Sequence, residues 1–128
     1  MALYPHSGGW RNRYRDGIAF NYPLIAFAAS AAPGGMLPAD GGFLQIEPAN
    51  MVMTALKKSE DDDSITLRFF EAEGSANGRA RVKLFRPIKQ AWKTNLIEED
   101  DEPIMVGSDG TLELAVKPWE IVTLKLSV

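Results

Sequence analysis

The sequence ITLRFF at residues 65–70 carries the pattern on which the architecture of this chain rests, because a large apolar residue occupies every second position from Ile65. A period of two residues gives a β-strand one buried face. The same alternation recurs in ARVKLFR at 80–86, LELAV at 112–116 and IVTLKL at 121–126. No helical pattern separates these segments. The sequence therefore predicts a mostly β chain, an antiparallel β-sandwich of the immunoglobulin-like, Greek-key type.

Turn-forming residues separate the predicted strands. The acidic run EDDD at 60–63 predicts a solvated hairpin turn between a strand at 51–57 and the strand at 65–70. GSANG at 74–78 is a loop built from turn formers. On this basis residues 65–70 and 80–86 are predicted to form a β-hairpin.

The N-terminal region has a different pattern. Trp10, Tyr14 and Ile18 are spaced four residues apart, which places them on one face of a helix. One short amphipathic N-terminal helix is therefore predicted. Ser7 is its candidate N-cap, since a serine oxygen can accept a hydrogen bond from the first free backbone N–H groups.

Length and composition limit the class of protein. The 128 residues fit a single domain over 1–128, and the formal net charge of -3 argues against a nucleic-acid partner. The chain has no cysteine, which excludes disulfides and thiolate metal sites. No signal-peptide pattern is visible, and the longest apolar stretch, residues 23–32, is too short to span a membrane. A cytoplasmic location is the expectation.

Catalytic and metal-binding patterns are scarce. The acidic runs at 60–63 and 98–102 match no calcium loop and are interpreted as solvated turns. Glu71 and Glu73 share one face of a strand, at a spacing suited to glycosidase carboxyl groups. Alternating charges are also typical of a solvent-facing strand, and that interpretation is preferred. With a single histidine and no nucleophile or phosphate-loop motif, we predict neither catalytic residues nor a metal site.

Tryptophan side chains are the remaining candidates for a binding function. Sugar rings stack on exposed aromatic rings, so Trp10 and Trp92 are candidates for carbohydrate contacts, and packing in a core or an interface is the alternative for each. Trp119 follows Pro118 at the start of a strand and is interpreted as a packing residue. Trp10 stands out because His6, two glycines and Arg11 are close to it in sequence.

The order of several segments resembles the C-terminal β-sandwich domain of family 38 glycoside hydrolases, which are α-mannosidases. The similarity begins with a Pro-His, glycine and aromatic pattern near the N-terminus and extends to closing strands near the C-terminus. The segments are LYPHSGGWR at 3–11, FNYPL at 20–24, FLQI at 43–46, residues 52–63, LRFFE at 67–71, TNLIE at 94–98, LEL at 112–114 and PWEIVTL at 118–124.

The resemblance implies a parent enzyme that hydrolyses α-mannosidic linkages in mannose-containing glycans by a retaining, zinc-assisted mechanism. In that family the nucleophilic aspartate and the zinc ligands lie in an N-terminal α/β domain with no counterpart here, so no cofactor is expected in this domain. The predicted function is a non-catalytic accessory domain whose partners are the remaining domains of the parent, with no nucleic acid and no membrane. His6, Trp10 and Arg11 are predicted at the domain interface or facing glycan. The alternative is a carbohydrate-binding module with exposed tryptophans, in which Trp92 is a second stacking residue.

Overall fold

The computed structural model describes residues 3–30, 34–35, 40–60, 62–76, 78–99 and 102–128. The chain divides into two compact units, Met1–Pro38 and Ala39–Val128. Within the described ranges, no helix is both long enough and apolar enough to span a membrane.

The described part of the first unit contains one short helical region in two parts. A 3₁₀ turn at Trp10–Asn12 precedes helix α1 at Tyr14–Asn21. The predicted N-terminal helix is confirmed, but its predicted cap is wrong. The N-cap position of the 3₁₀ turn is Gly9 and that of α1 is Arg13, and neither part has a side-chain cap. Backbone hydrogen bonds join the two parts.

Among the described residues, the second unit contains eight strands in two sheets. The strands are β1 (Leu44–Glu47), β2 (Met51–Lys58), β3 (Ile65–Glu71), β4 (Gly78–Leu84), β5 (Gln90–Thr94), β6 (Glu102–Ile104), β7 (Leu112–Val116) and β8 (Ile121–Ser127). One sheet has the order β1-β4-β7 and the other has the order β2-β3-β8-β5-β6. Every pairing is antiparallel. The predicted antiparallel β-sandwich with a short N-terminal helix is confirmed.

The core lies between the two sheets. Leu67 and Phe69 of β3, Val82 of β4, and Leu112 and Leu124 are all inaccessible to solvent. Burying each of these side chains contributes roughly 1.5–3 kcal/mol through removal of apolar surface from water. The alternation in the sequence is therefore the alternation between core and exterior in the fold.

The predicted hairpin between β3 and β4 is wrong. β3 belongs to the five-stranded sheet and β4 to the three-stranded sheet, so the connection after Glu71 crosses from one layer to the other. Both strands have an apolar face, and placing them in opposed sheets buries the two faces against each other. The hairpin that was predicted across the acidic turn is confirmed, since β2 pairs with β3.

Candidate functional site

A concave groove of about 870 Å³ lies within the first unit, between the extended residues at its start and helix α1. Tyr4, His6, Trp10 and Tyr14 contribute to its walls. The Trp10 and Tyr14 ring centroids are 6.1 Å apart, and those of Tyr4 and His6 are 6.0 Å apart. The structure thus places two of the residues singled out in the sequence, His6 and Trp10, in one groove.

Apolar side chains around this groove are exposed to an unusual extent. Helix α1 buries none of its residues. Nine large hydrophobic side chains form what we term the N-terminal apolar face, with Leu3 at 94% and Phe27 at 84% exposed. The full set is Leu3, Tyr4, Trp10, Ile18, Phe20, Tyr22, Leu24, Ile25 and Phe27. Monomeric proteins rarely expose contiguous apolar patches larger than a few hundred Å², and patches above that size mark interaction sites.

Arginine side chains border the N-terminal apolar face. The Arg11 guanidinium lies 5.1 Å from the centre of the Trp10 ring, and that of Arg15 lies 5.9 Å from the centre of the Tyr14 ring. Arg11 therefore stacks on Trp10 and is not among the residues that line the groove. Arginine and aromatic residues are both enriched in protein interfaces relative to the rest of the protein surface.

Trp92 lies in the second unit, on the outer face of the five-stranded sheet. It is half-buried, and its register partners are Pro103 on β6 and Lys125 on β8. This surface is a sheet face of mixed polarity. The structure therefore places Trp92 in a different compact unit from His6 and Trp10.

Trp119 occupies the tight turn before β8. Its φ is +61° and its side chain is 56% exposed, an unusual backbone conformation for a bulky residue. One part of its indole lies against the backbone of Gly74, where an added Cβ would be only 2.5 Å from Cζ2. The sequence interpretation of Trp119 as a packing residue therefore holds for its contact with Gly74, although more than half of the side chain remains in solvent.

The carboxylate of Glu71 connects this turn to the rest of the fold. The backbone N–H groups of Gly74 and Trp119 donate to Oε2 at 2.6 and 3.1 Å, while Glu73 N–H and the Asn50 amide donate to Oε1 at 3.0 and 2.7 Å. Glu71 is completely buried, so the expectation that it faces solvent is wrong. The signal was in the sequence, because Glu71 is in phase with Leu67 and Phe69.

The hydrogen bonds to Glu71 favour its ionised form, whereas the acid of a glycosidase pair must hold a proton. Burial alone would raise its pKa, but the hydrogen bonds from Trp119, Glu73 and Asn50 outweigh burial and lower the pKa to about 2. A general acid needs a raised pKa so that it carries a proton at neutral pH. Glu73 lies beyond the end of β3 and shares the loop that Glu71 organises.

A second buried carboxylate organises the loop between β5 and β6. Glu98 accepts a hydrogen bond from Thr66 at 2.9 Å and forms an ion pair with Lys57 at 2.8 Å. The hydrogen bond from Lys57 is the largest cause of its lowered pKa. Among the described residues, no group of three or more histidine, aspartate or glutamate side chains is arranged to hold a metal ion.

The fold and these sites define an antiparallel β-sandwich domain in which the buried Glu71 and Glu98 carboxylates hold turns and loops, and in which a groove of the first unit is lined by aromatic rings. Residues 50–124 match the family model of the C-terminal β-sandwich domain of family 38 glycosyl hydrolases. The match covers more than half of the chain, so the chain belongs to this family. Comparisons with curated proteins and with solved structures gave no match.

Proposed function

We propose that this chain is a non-catalytic accessory domain of an α-mannosidase and that it packs against the remaining domains through its N-terminal apolar face. Membership of the family supports a parent enzyme with further domains. In this proposal all 128 residues form one domain, the zinc ion and nucleophile belong to the catalytic domain, and the parent acts in the cytoplasm on mannose-containing glycans.

The observation that carries the proposal is the exposure of the N-terminal apolar face. Phe20 and Tyr22 are 65% and 79% exposed, although each would gain about 1.5–3 kcal/mol from burial. An adjoining domain would supply that burial. The arginines stacked on Trp10 and Tyr14 would then supply charged groups at the rim of the contact.

The test compares one substitution in two proteins. In the isolated chain, Phe20→Ser should change the free energy of unfolding by less than about 0.5 kcal/mol, because the residue is exposed. In the full-length parent enzyme it should lower Tm by several degrees and reduce hydrolysis of an aryl α-mannoside. Met105→Ser, at another exposed apolar position (89%), is the matched control. If Phe20→Ser is as silent as the control in the parent enzyme, the N-terminal apolar face is not the interface.

The aromatic groove favours a second candidate function, in which the domain binds glycan. Trp10 and Tyr14 offer stacking surfaces, and His6, Arg13 and Asp16 add polar groups to the same groove. Mannobiose should then change the tryptophan fluorescence of the isolated chain, and Trp10→Ala should abolish the change while Trp92→Phe retains it. A flat titration up to millimolar mannobiose would contradict this function.

A further inference from the structure

The core-facing side of β2 is only partly covered. Met53 is in register with Phe69 and Leu56 with Leu67, so all four side chains point toward the core side of the sheet. Phe69 and Leu67 are inaccessible to solvent, yet Met53 is 49% and Leu56 is 42% exposed. A three-stranded sheet opposes a five-stranded one, and β2 is an edge of the larger sheet. Apolar surface that belongs to the sandwich interior is thus left open along this edge.

The neighbouring edge of the smaller sheet is open as well. Among the residues that the structure describes, β1 has a strand, β4, on one side only. Phe85 N–H donates to Phe43 C=O at 2.9 Å. Since hydrogen-bonded and non-hydrogen-bonded pairs alternate in an antiparallel ladder, the backbone groups of Leu44 and Ile46 point away from β4. They form a row of two donors and two acceptors at the sheet edge.

A cavity of about 290 Å³ lies where the two open edges meet. Its apolar walls include Leu56 from β2, Leu84 from β4 and the rings of Phe43 and Phe85, which meet edge to face at 5.2 Å and 81°. The Lys58–Asp63 ion pair, 2.8 Å long, lies at its rim. The cavity is large enough for one or two apolar side chains and lies at the lower end of the range for small-molecule pockets, about 300–1,000 Å³.

We propose that the β1 edge accepts an extended segment from elsewhere in the parent enzyme, which becomes a fourth strand of the smaller sheet. The segment's backbone would pair with Leu44 and Ile46, and its alternate apolar side chains would cover Met53 and Leu56 and fill the cavity. This source of the strand rests on the proposed accessory function. The backbone groups of Leu44 and Ile46, which face no other strand among the described residues, favour a strand over a small ligand, because strand addition satisfies both the edge and the side-chain pockets. The charged pair at the rim is unsuited to a lipid surface.

The experiment uses the full 128-residue chain and two synthetic peptides. The first alternates threonine and valine between terminal lysines, and the second is identical except for methyl groups on alternate backbone nitrogens. Binding is followed by ¹H–¹⁵N NMR and by amide hydrogen exchange. We expect the unmethylated peptide to protect the Leu44 and Ile46 amides and to bind at least about tenfold more tightly than the methylated one, since only it can form the ladder.

Substitutions in the chain locate the site. Leu56→Lys should weaken binding of the unmethylated peptide by about tenfold, because it places a charge where apolar side chains must pack. Leu96→Lys, at an exposed apolar position outside the cavity, is the control and should not change binding. Equal affinity for the two peptides, or protection at other amides, would overturn the proposal. A concentration-dependent dimer in which the Leu44 and Ile46 amides are protected without peptide would also overturn the proposal, because a second copy of the chain would then be the occupant. The Phe20→Ser experiment is independent of all these results, so the two proposals can fail separately.

Discussion

At one end of the sandwich, the polar interactions converge on the carboxylate of Glu71. Its two oxygens accept four hydrogen bonds from three segments of the chain. In Glu71→Gln an amide donor would face backbone N–H donors, so we expect the free energy of unfolding at neutral pH to fall by about 2–4 kcal/mol. Urea denaturation measures the change. Glu113→Gln, at an exposed position on β7, should cost less than about 0.5 kcal/mol, and equal effects would contradict the role assigned to Glu71.

The low pKa of Glu71 makes its contribution dependent on pH. The pKa is lowered from 4.5 to about 2 in the folded chain, so the unfolded state binds the proton first as pH falls. The contribution of the ionised carboxylate is therefore complete above about pH 5 and is lost between about pH 4.5 and 2, to the extent of roughly 2–3 kcal/mol.

Other carboxylates also titrate in this window, so the measurement is a difference between two proteins. Urea unfolding of the wild-type chain and of Glu71→Gln at pH 5.5 and pH 2.5 should give free energies that converge at the lower pH. Parallel losses in the two proteins would mean that the Glu71 pKa is not lowered by folding.

Gly74 and Trp119 form a coupled pair. Gly74 has φ of +70°, and a Cβ there would clash with the indole. We expect Gly74→Ala to cost about 2–3 kcal/mol from backbone strain and overpacking together. In a Trp119→Ala background the cost should fall to about 1 kcal/mol, because only the backbone strain remains. Chemical denaturation of the four proteins gives this double-mutant cycle, and additive costs would show that the ring does not press on Gly74.

At the scale of the elements, the sequence alone was enough for the strands with strict alternation. Residues 65–70, 112–116 and 121–126 all lie in strands as predicted. The sequence was less able to predict which strands pair, because alternation identifies a buried face but not the layer that faces it. The short strand β6 has a proline and no alternation, and as an edge strand it tolerates the missing N–H. For those reasons the sequence pattern did not predict β6.

The loop between β5 and β6 offers a test of how one carboxylate holds an element. Glu98 has φ of +69° and its carboxylate is paired with Thr66 and Lys57. Both Glu98→Ala and Glu98→Gly lose that pairing, but glycine accepts the positive φ with little strain. We therefore expect the order of stability to be wild type, then Glu98→Gly, then Glu98→Ala, with about 0.5–1 kcal/mol between the two variants. Thermal unfolding, followed by circular dichroism, ranks the three proteins. A Glu98→Ala variant more stable than Glu98→Gly would contradict the strained conformation.

For the whole molecule, the sequence indicated the family and the aromatic N-terminal segment. The hydrogen-bond partners and the pKa of the buried glutamates could be identified only from the structure. The interpretation of Glu71 required knowing that the turns at 72–76 and 117–120 converge on its carboxylate, and contacts between residues 48 positions apart leave no local pattern. The short helical region with Trp10 in its 3₁₀ turn and Tyr14 in α1 could be predicted because its periodicity is local. The extent of exposure of its apolar side chains could not be predicted, because periodicity identifies an apolar helix face but not whether anything packs against it.

The core residues of the sandwich all come from the second unit, which leads to a prediction for the chain as a whole. A protein of residues 40–128 should fold without the first unit and keep its free energy of unfolding within about 1 kcal/mol of the full chain, since it retains every strand and the whole core. Its binding of the dye ANS, a reporter of exposed apolar surface, should fall because the N-terminal apolar face is gone. Urea denaturation and ANS fluorescence of the two proteins test both statements. A shortened chain that unfolds would show that the exposed aromatic residues stabilise the sandwich itself, and that their exposure does not serve a partner.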